Sequence, residues 1–221
     1  MGTTNDGAEG FVHRVRQGET TEGLADAHGH FWETLWEHPR NAALRALRRD
    51  PNILAEGDEL FVPPRRPRVE RCDTTRVHTF RRKGVPSRFE LRCLDLRGEP
   101  RAGEPYTLRG DDGFAREGAL DGDGWLKVSV PPSTRTIELT LGDGDAPETM
   151  TLRVGHLDPA DSLSGVCDRL YNLGYYDGPT LDAPDEVLAR AVRAFRRDEG
   201  LPASAEVDDA LRGALTRRHG S

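Results

Sequence analysis

Two short polar runs contain the residue types that bind metal ions. His28 and His30 flank Gly29, and Asp121 and Asp123 alternate with glycine. A zinc site needs three or four ligands at defined spacings, and a calcium loop needs further oxygen ligands and a glutamate. Neither run has these additional ligands, so we predict ordinary turns at both places, and no metal or other cofactor.

The three cysteines, at positions 72, 93 and 167, stand far apart and form no disulfide or ligand pattern. A nucleophilic cysteine requires a base beside it in an electropositive cleft, whereas Cys167 lies on the apolar stripe of a predicted helix. The sequence has no nucleophile elbow, zinc-protease helix or phosphate-binding loop. We therefore predict reduced thiols and no catalytic residues, in a protein that is not an enzyme.

The composition predicts a folded protein. Of 221 residues, 35% are hydrophobic and 31% are charged, and the net charge is −7, which disfavours nucleic-acid binding. No run approaches the roughly 20 apolar residues of a membrane helix, and the N-terminus shows no signal-peptide pattern. We expect a cytoplasmic monomer without nucleic-acid or membrane partners, which a secretion machine can export without a signal peptide.

Residues 156–221 are predicted to form a three-helix module. Gly174 and Gly200 end the first two helices, while Asp182 is the expected N-cap of the second and Pro184 suits its first turn. Apolar residues recur at helical spacing in three successive stripes. They are Leu163, Val166, Cys167, Leu170 and Leu173, then Leu188, Ala191, Val192 and Phe195, then Val207, Leu211, Ala214 and Leu215.

Two runs in this module carry a family resemblance. Residues 169–178 read RLYNLGYYDG and residues 191–201 read AVRAFRRDEGL. They resemble the peptidoglycan-binding-domain family of three-helix modules, although Arg196 replaces a usual glutamine and residues 179–185 replace a glycine-rich polar loop. The resemblance implies cell-wall binding, for which Tyr175, Tyr176 and Asp177 are the predicted contacts. The alternative is that one of the two tyrosine rings packs under the loop.

Residues 11–64 are predicted to begin and end with a strand and to have helices between them. The run V-x-Q-G-E-T at residues 15–20 and the run P-N-x-L-x-x-G-D-x-L-x-V-P at residues 51–63 resemble the LysM family. This resemblance implies a βααβ head with an N-acetylglucosamine groove between the first turn and the loop before the second strand. The implied glycan-binding residues are Gly18, Glu19, Thr20, Thr21, Ile53 and Leu54. The alternative is a LysM-shaped scaffold without a glycan.

An aromatic insert enlarges this head. Phe31, Trp32 and Trp36 lie at helical spacing, and Asn41 is the expected cap of a further short helix whose Leu44 and Leu47 point inward. Tryptophan is enriched at interface hot spots, so we predict that at least one indole is partly exposed and that these three aromatic residues bind a partner. The alternative is that both indoles cover the enlarged helical region internally.

The remaining segments complete an α+β multidomain chain. Residues 1–10 are predicted to be disordered, residues 65–76 to be a stiff linker and residues 77–155 to be an antiparallel β-sandwich of six or seven short strands. The run G-x-P-x-x-G-x-P-Y-x-L at residues 98–108 and the run G-x-L-D-x-D-G at residues 118–124 resemble immunoglobulin-like or prealbumin-like repeats.

Two hypotheses for function remain open. The order of the three modules, together with the aromatic insert, resembles proteins encoded with type VI or other contractile injection systems. That resemblance implies a non-catalytic adaptor that binds a spike component or a cargo. The alternative is a cell-wall protein that binds peptidoglycan through both its head and its C-terminal module.

Overall fold

The computed structural model describes residues 9–65, 71, 73–77, 79, 86–144, 146–179 and 183–220. It contains helices and antiparallel strands in three successive regions: a head, a two-sheet region and a C-terminal helical module. Each region has its own cluster of buried apolar side chains. The predicted disorder of residues 1–8, half of the predicted linker and Cys72 lie outside the described residues. No helix among the described residues has the length and apolar character needed to cross a bilayer.

The head is an antiparallel strand pair with helices packed on it. Its elements are β1 (Phe11–Arg14), α1 (Thr21–Ala27), α2 (Trp32–Trp36), a 3-10 turn (Pro39–Asn41), α3 (Ala42–Arg48) and β2 (Glu59–Val62). The side chain of Thr20 caps α1 by accepting a hydrogen bond from the backbone of Gly23 at 3.0 Å. Three α-helices therefore stand where the predicted βααβ order has two, because Pro39 separates α2 from a further helix.

Asn41 does not have the predicted capping role. It precedes α3, but its side chain makes no capping bond and is buried instead. Its amide nitrogen donates to the carbonyls of Leu35 at 2.7 Å and Phe61 at 2.9 Å, and its oxygen accepts from the Phe61 N–H at 2.8 Å. The prediction that Leu47 points inward is also wrong, because that side chain lies at the exposed last turn of α3 while Leu44 is buried.

The middle region has two antiparallel sheets that share one apolar core. One sheet pairs β3 (Ser87–Arg92) with β6 (Trp125–Val130). The other has the order β5-β4-β7-β8, formed by Ala115–Ala119, Pro105–Gly110, Thr136–Leu141 and Glu148–Arg153. Except in the exposed β5, apolar side chains alternate along these strands, as expected for sheets with one buried face. Asp121 makes the turn before β6, where its carboxylate accepts from the backbone of Asp123 and Trp125.

Three helices form the C-terminal module, namely α4 (Leu163–Asn172), α5 (Glu186–Asp198) and α6 (Asp209–His219). Their N-caps are Ser162, Asp185 and Asp208, whose side chains accept backbone hydrogen bonds in the first turn. Asp185 thus takes the capping role that the sequence assigned to Asp182, which lies outside the described residues. The three predicted apolar stripes meet in one core around Phe195.

Residues 155–162, which we call the junction segment, connect the sheets to α4 and lie against the head. The ring of His156 lies against Gly18, where an added Cβ would come 2.7 Å from Nε2. Gln17 donates to the carboxylate of Asp158 at 3.1 Å, and Arg48 lies 3.6 Å from that of Asp161. These contacts attach the head to the chain that leads into the C-terminal module.

Candidate functional site

The C-terminal ends of the three helices in the C-terminal module lie together at one end of it. The link between α4 and α6 is a 3.0 Å contact between Asn172 and the ring of His219. Arg218 of α6 lies 3.6 Å from Glu199, directly after α5. Each helix ends with its own sequence signal, such as Gly174 at φ +79° after α4. Residues from all three helices therefore contribute to a single surface.

Tyr175 is fixed at the centre of this surface. Its ring packs edge-on against Phe195, with 5.3 Å between the ring centroids, and its hydroxyl donates to the carboxylate of Asp198 at 3.1 Å. Partial burial, followed by the hydrogen bond to Asp198, raises the pKa of Tyr175. Hydrogen bonding from Arg197 lowers the pKa of Asp198. The phenol thus stays neutral and the carboxylate ionised at neutral pH.

Tyr171 adds an aromatic ring that is 62% exposed. It lies in the last turn of α4, away from the apolar stripe, and next to Asn172. Burial lowers the pKa of His219, and the nearby Arg169 lowers it further, so the ring that contacts Asn172 is held in its neutral form. We call the set of Tyr171, Asn172, Tyr175, Asp198, Arg218 and His219 the helix-end surface.

The helix-end surface offers two aromatic rings, an amide, a neutral imidazole and charges of both signs. Exposed tyrosine rings stack on the faces of sugars or peptides with little loss of conformational entropy, because they have few rotatable bonds. The flanking polar groups can donate and accept hydrogen bonds. This combination suits a ligand that has both apolar faces and polar or charged groups.

The structure places only some of the predicted cell-wall contacts of the C-terminal module at the surface. Tyr176 is 4% exposed, belongs to the module core and donates its hydroxyl hydrogen to the carbonyl of Pro179 at 2.7 Å. Its ring therefore cannot face a ligand, whereas Tyr175 is half-buried and Asp177 is exposed. Sequence reasoning missed Tyr171, although an aromatic residue on the polar side of a predicted helix was a signal that could have identified it.

The predicted glycan groove of the head is closed. Gly18, Thr20, Thr21, Ile53 and Leu54 are buried. Glu19 is half-buried and is engaged within the head, where it contacts Nε2 of His13 at 2.6 Å and accepts from the N–H of Arg16. These six residues form no open groove in this structure.

The groove is closed partly by the chain itself. Arg135, which precedes β7, donates to the carbonyl of Gly18 at 2.5 Å. The ring of His156 lies on Gly18, and Gly155 approaches the same carbonyl and the methyl group of Thr20. Sequence reasoning could not anticipate this cover, because residues more than a hundred positions away supply it.

The aromatic insert is divided between core and surface. Trp36 is buried in the head core, Trp32 is half-buried against that core and Phe31 is 56% exposed. Trp36 therefore cannot contact a partner without unfolding. The accessible part of the predicted partner site consists of Phe31 and the half-buried Trp32.

No group of three or more potential ligand side chains that could hold a metal ion occurs in the described part of the chain. Burial and the neighbouring charges of His13 and His30 lower the pKa of His28, whose ring packs against Phe11. The described cysteines, Cys93 and Cys167, are both buried, and burial raises the pKa of the Cys93 thiol.

The C-terminal module is similar to a known family. Residues 166–215 match the family model described as "Putative peptidoglycan binding domain". The match covers less than half of the chain and extends from α4 into α6, which confirms the sequence prediction for this module. No curated protein and no solved structure shows a significant match to the chain. The LysM resemblance of the head and the association with a secretion apparatus stay predictions.

Proposed function

We propose that this protein is a non-catalytic cell-wall-binding protein that contacts peptidoglycan through the helix-end surface. The observation that carries the proposal is the family match of residues 166–215, which coincides with the core of the C-terminal module. Within that module, the helix-end surface is where exposed aromatic and polar side chains meet. The closed groove of the head argues for contact through the C-terminal module.

The chemistry of peptidoglycan fits this surface. Its sugars have apolar ring faces that can stack on Tyr171, while its stem peptides carry amide, ammonium and carboxylate groups. Asp198 and Arg218 supply one charge of each sign beside the fixed ring of Tyr175. Because Tyr175 is already held by Phe195 and Asp198, binding costs little additional side-chain ordering.

Sedimentation with purified insoluble peptidoglycan tests the proposal. We expect the double variant Tyr171→Ala, Tyr175→Phe to lower the association constant about tenfold, which corresponds to roughly 1.4 kcal/mol. The matched control is Arg190→Ala, which removes an exposed side chain from the other half of α5. Equal binding by the double variant and the wild type would remove the helix-end surface from the contact, and no sedimentation of the wild type would refute cell-wall binding.

Release of soluble fragments from the same peptidoglycan tests the non-catalytic part of the proposal. We expect no fragments above the buffer control, because no nucleophile with an adjacent base is evident in the sequence. Fragment release that a single substitution in this chain abolishes would make the protein an enzyme.

A second candidate function is an adaptor in a contractile, type VI-like secretion apparatus, loaded from the cytoplasm. The exposure of Phe31 and the partial exposure of Trp32 favour it, because exposed aromatic side chains often anchor protein interfaces. If a co-expressed spike component or cargo binds here, Phe31→Ala should weaken binding by about 2 kcal/mol without changing stability. Trp36→Ala is the contrasting variant, since it should unfold the head.

A further inference from the structure

The outer edges of the two strands of the head differ in what covers them. The edge of β2 is covered by Asn41, whose amide pairs with both the N–H and the carbonyl of Phe61, much as a neighbouring strand would. The edge of β1 has no neighbouring strand in the described part of the chain. Natural proteins usually cover or shorten such edges, because free backbone groups can pair with another chain.

The register of the strand pair identifies which backbone groups on β1 are free. Phe61 lies opposite Val12, and the backbone groups of Phe61 point away from β1 towards Asn41. In an antiparallel pair, two opposed residues either bond to each other or both point outward. Val12 therefore directs its N–H and carbonyl to the open side, and Arg14, two residues along, does the same.

The flanking residues agree with this alternation. Val15 continues the inward bonding, since its N–H donates to Asp58 and its carbonyl accepts from Gly57, both at 2.8 Å. The outward N–H of Arg16 donates to the carboxylate of Glu19, and the outward carbonyl of Arg16 accepts from the N–H of Glu19. The free backbone groups at Val12 and Arg14 thus have the two-residue spacing that an added strand requires, and no described residue hydrogen-bonds to them.

The surroundings of this edge are open and include two exposed arginine side chains. A cleft of about 630 Å³ runs along β1 and is lined by residues 11–16 together with Glu56 and Gly57. Arg14 and Arg16 lie on one side of the chain, and neither guanidinium forms an ion pair with a described carboxylate, although Glu19, Glu56 and Glu59 are nearby. Val12 adds an apolar side chain that is 49% exposed.

We propose that β1 is a docking edge for an extended, acidic segment of a partner protein, which adds to the head as a third strand. Backbone bonds to Val12 and Arg14 hold the segment, and its carboxylates pair with Arg14 and Arg16. A second copy of this chain fits poorly, because antiparallel pairing through the outward groups of both Val12 and Arg14 would place the two Arg14 side chains diagonally next to each other.

Three synthetic pools of eight-residue peptides test the proposal on the full chain. In every peptide, positions occupied by valine, isoleucine or threonine alternate with variable positions. The variable positions are acidic in the first pool, basic in the second, and serine or glutamine in the third. We expect the acidic pool to bind and to slow amide exchange at Val12 and Arg14. The Phe61 amide serves as the internal control, because Asn41 already protects it.

Two variants separate the backbone from the charge contribution. Val12→Pro removes the outward N–H, and Arg14→Glu reverses an exposed charge; we expect each to weaken binding of the acidic pool about tenfold. Circular dichroism verifies that each variant is folded. If the acidic pool does not bind, binds no better than the basic pool, or binds without protecting Val12 and Arg14, the docking edge is refuted. Preferential binding of the neutral pool would likewise refute the acidic partner.

Discussion

Arg196 shows how one buried cation organises the C-terminal module. It is 2% exposed, and its guanidinium lies 2.6 Å from Asp208 while also donating to the carbonyls of Pro202 and Glu206. Asp208 in turn caps α6 by accepting from the backbone of Leu211. The arginine that replaces the glutamine usual in the resembling family therefore links α5 to the start of α6.

We expect Arg196→Met to destabilise the protein by about 2 to 3 kcal/mol, because the substitution preserves apolar volume but leaves the carboxylate and two carbonyls without their donor. Urea unfolding measures the loss. The neighbouring variant Arg197→Met is the control, since the Arg197 side chain is exposed and should change stability by less than about 0.5 kcal/mol. Similar values for the two variants would contradict the role given to Arg196.

Two tyrosines of the C-terminal module, Tyr176 and Tyr171, predict opposite results. Tyr176→Ala should cost about 3 kcal/mol of stability, because it leaves a cavity in the module core. Tyr171→Ala, on an exposed ring, should change stability by less than about 0.5 kcal/mol. Thermal or urea unfolding compares the two variants. A small effect of Tyr176→Ala would mean that the loop repacks and that the ring is not a structural anchor.

The adjacent Tyr175 and Tyr176 show what a local pattern can predict. Spacing alone predicted the helix that precedes them and the glycine that ends it, because both depend on residues three or four apart. It could not decide which ring turns inward. That choice depends on Phe195 and Pro179, which fold against the pair from other elements.

At the scale of elements, Asn41 replaces a strand. One side chain satisfies both backbone groups of Phe61 on the outer edge of β2 and also donates to the Leu35 carbonyl of α2. The sequence predicted a helix cap at Asn41, which is the commonest role for asparagine before a helix. Only the tertiary arrangement, which brings β2 beside α2, gives the amide a different set of partners.

Two substitutions test this role. Asn41→Ala should cost about 2 to 4 kcal/mol, because it leaves the N–H and the carbonyl of Phe61 unpaired in a buried place. Asn41→Asp retains the acceptor oxygen but loses both N–H donors and buries a charge. At neutral pH it should therefore destabilise the protein at least as much as Asn41→Ala does. In acid, where the carboxyl becomes protonated, the loss of stability should be smaller. Urea unfolding at two pH values measures both variants. If Asn41→Asp is as stable as the wild type, the edge does not depend on this amide.

At the scale of the whole molecule, the junction segment determines how the head and the C-terminal module are connected. Gly165 of α4 allows the segment to pass close by, since a Cβ there would come 2.1 Å from the carbonyl of Pro159. The buried Arg169 donates to the carbonyl of Asp158. Local periodicity predicted the three regions of the chain, but it could not predict that this segment would cover the head.

The junction also predicts a dependence on pH. Burial, with Arg153 and Arg135 nearby, lowers the pKa of His156, while Asp158 acts in the opposite direction. The unfolded chain therefore binds this proton more readily, so the stabilisation by neutral His156 is present above its ordinary pKa of 6.5 and is lost as the pH falls below that value.

We expect urea unfolding to show lower stability at about pH 5.5 than at about pH 7.5, and His156→Gln to reduce that difference. Part of this difference in stability should remain in the variant, because the pKa values of His28 and His219 are also lowered. The control His30→Gln leaves the contact between the head and the junction segment intact. An unchanged pH dependence in His156→Gln would show that the junction is not the titrating contact.

The contacts that cover the first turn of the head join residues far apart in the sequence, which has a consequence for the order of folding. Arg135 and Gly18 are 117 positions apart, and Gln17 and Asp158 are 141 apart. During synthesis, β1 can pair with β2 long before either distant partner has left the ribosome. The head can thus form with its first turn still uncovered, and the junction segment can cover it only after that segment has been synthesised.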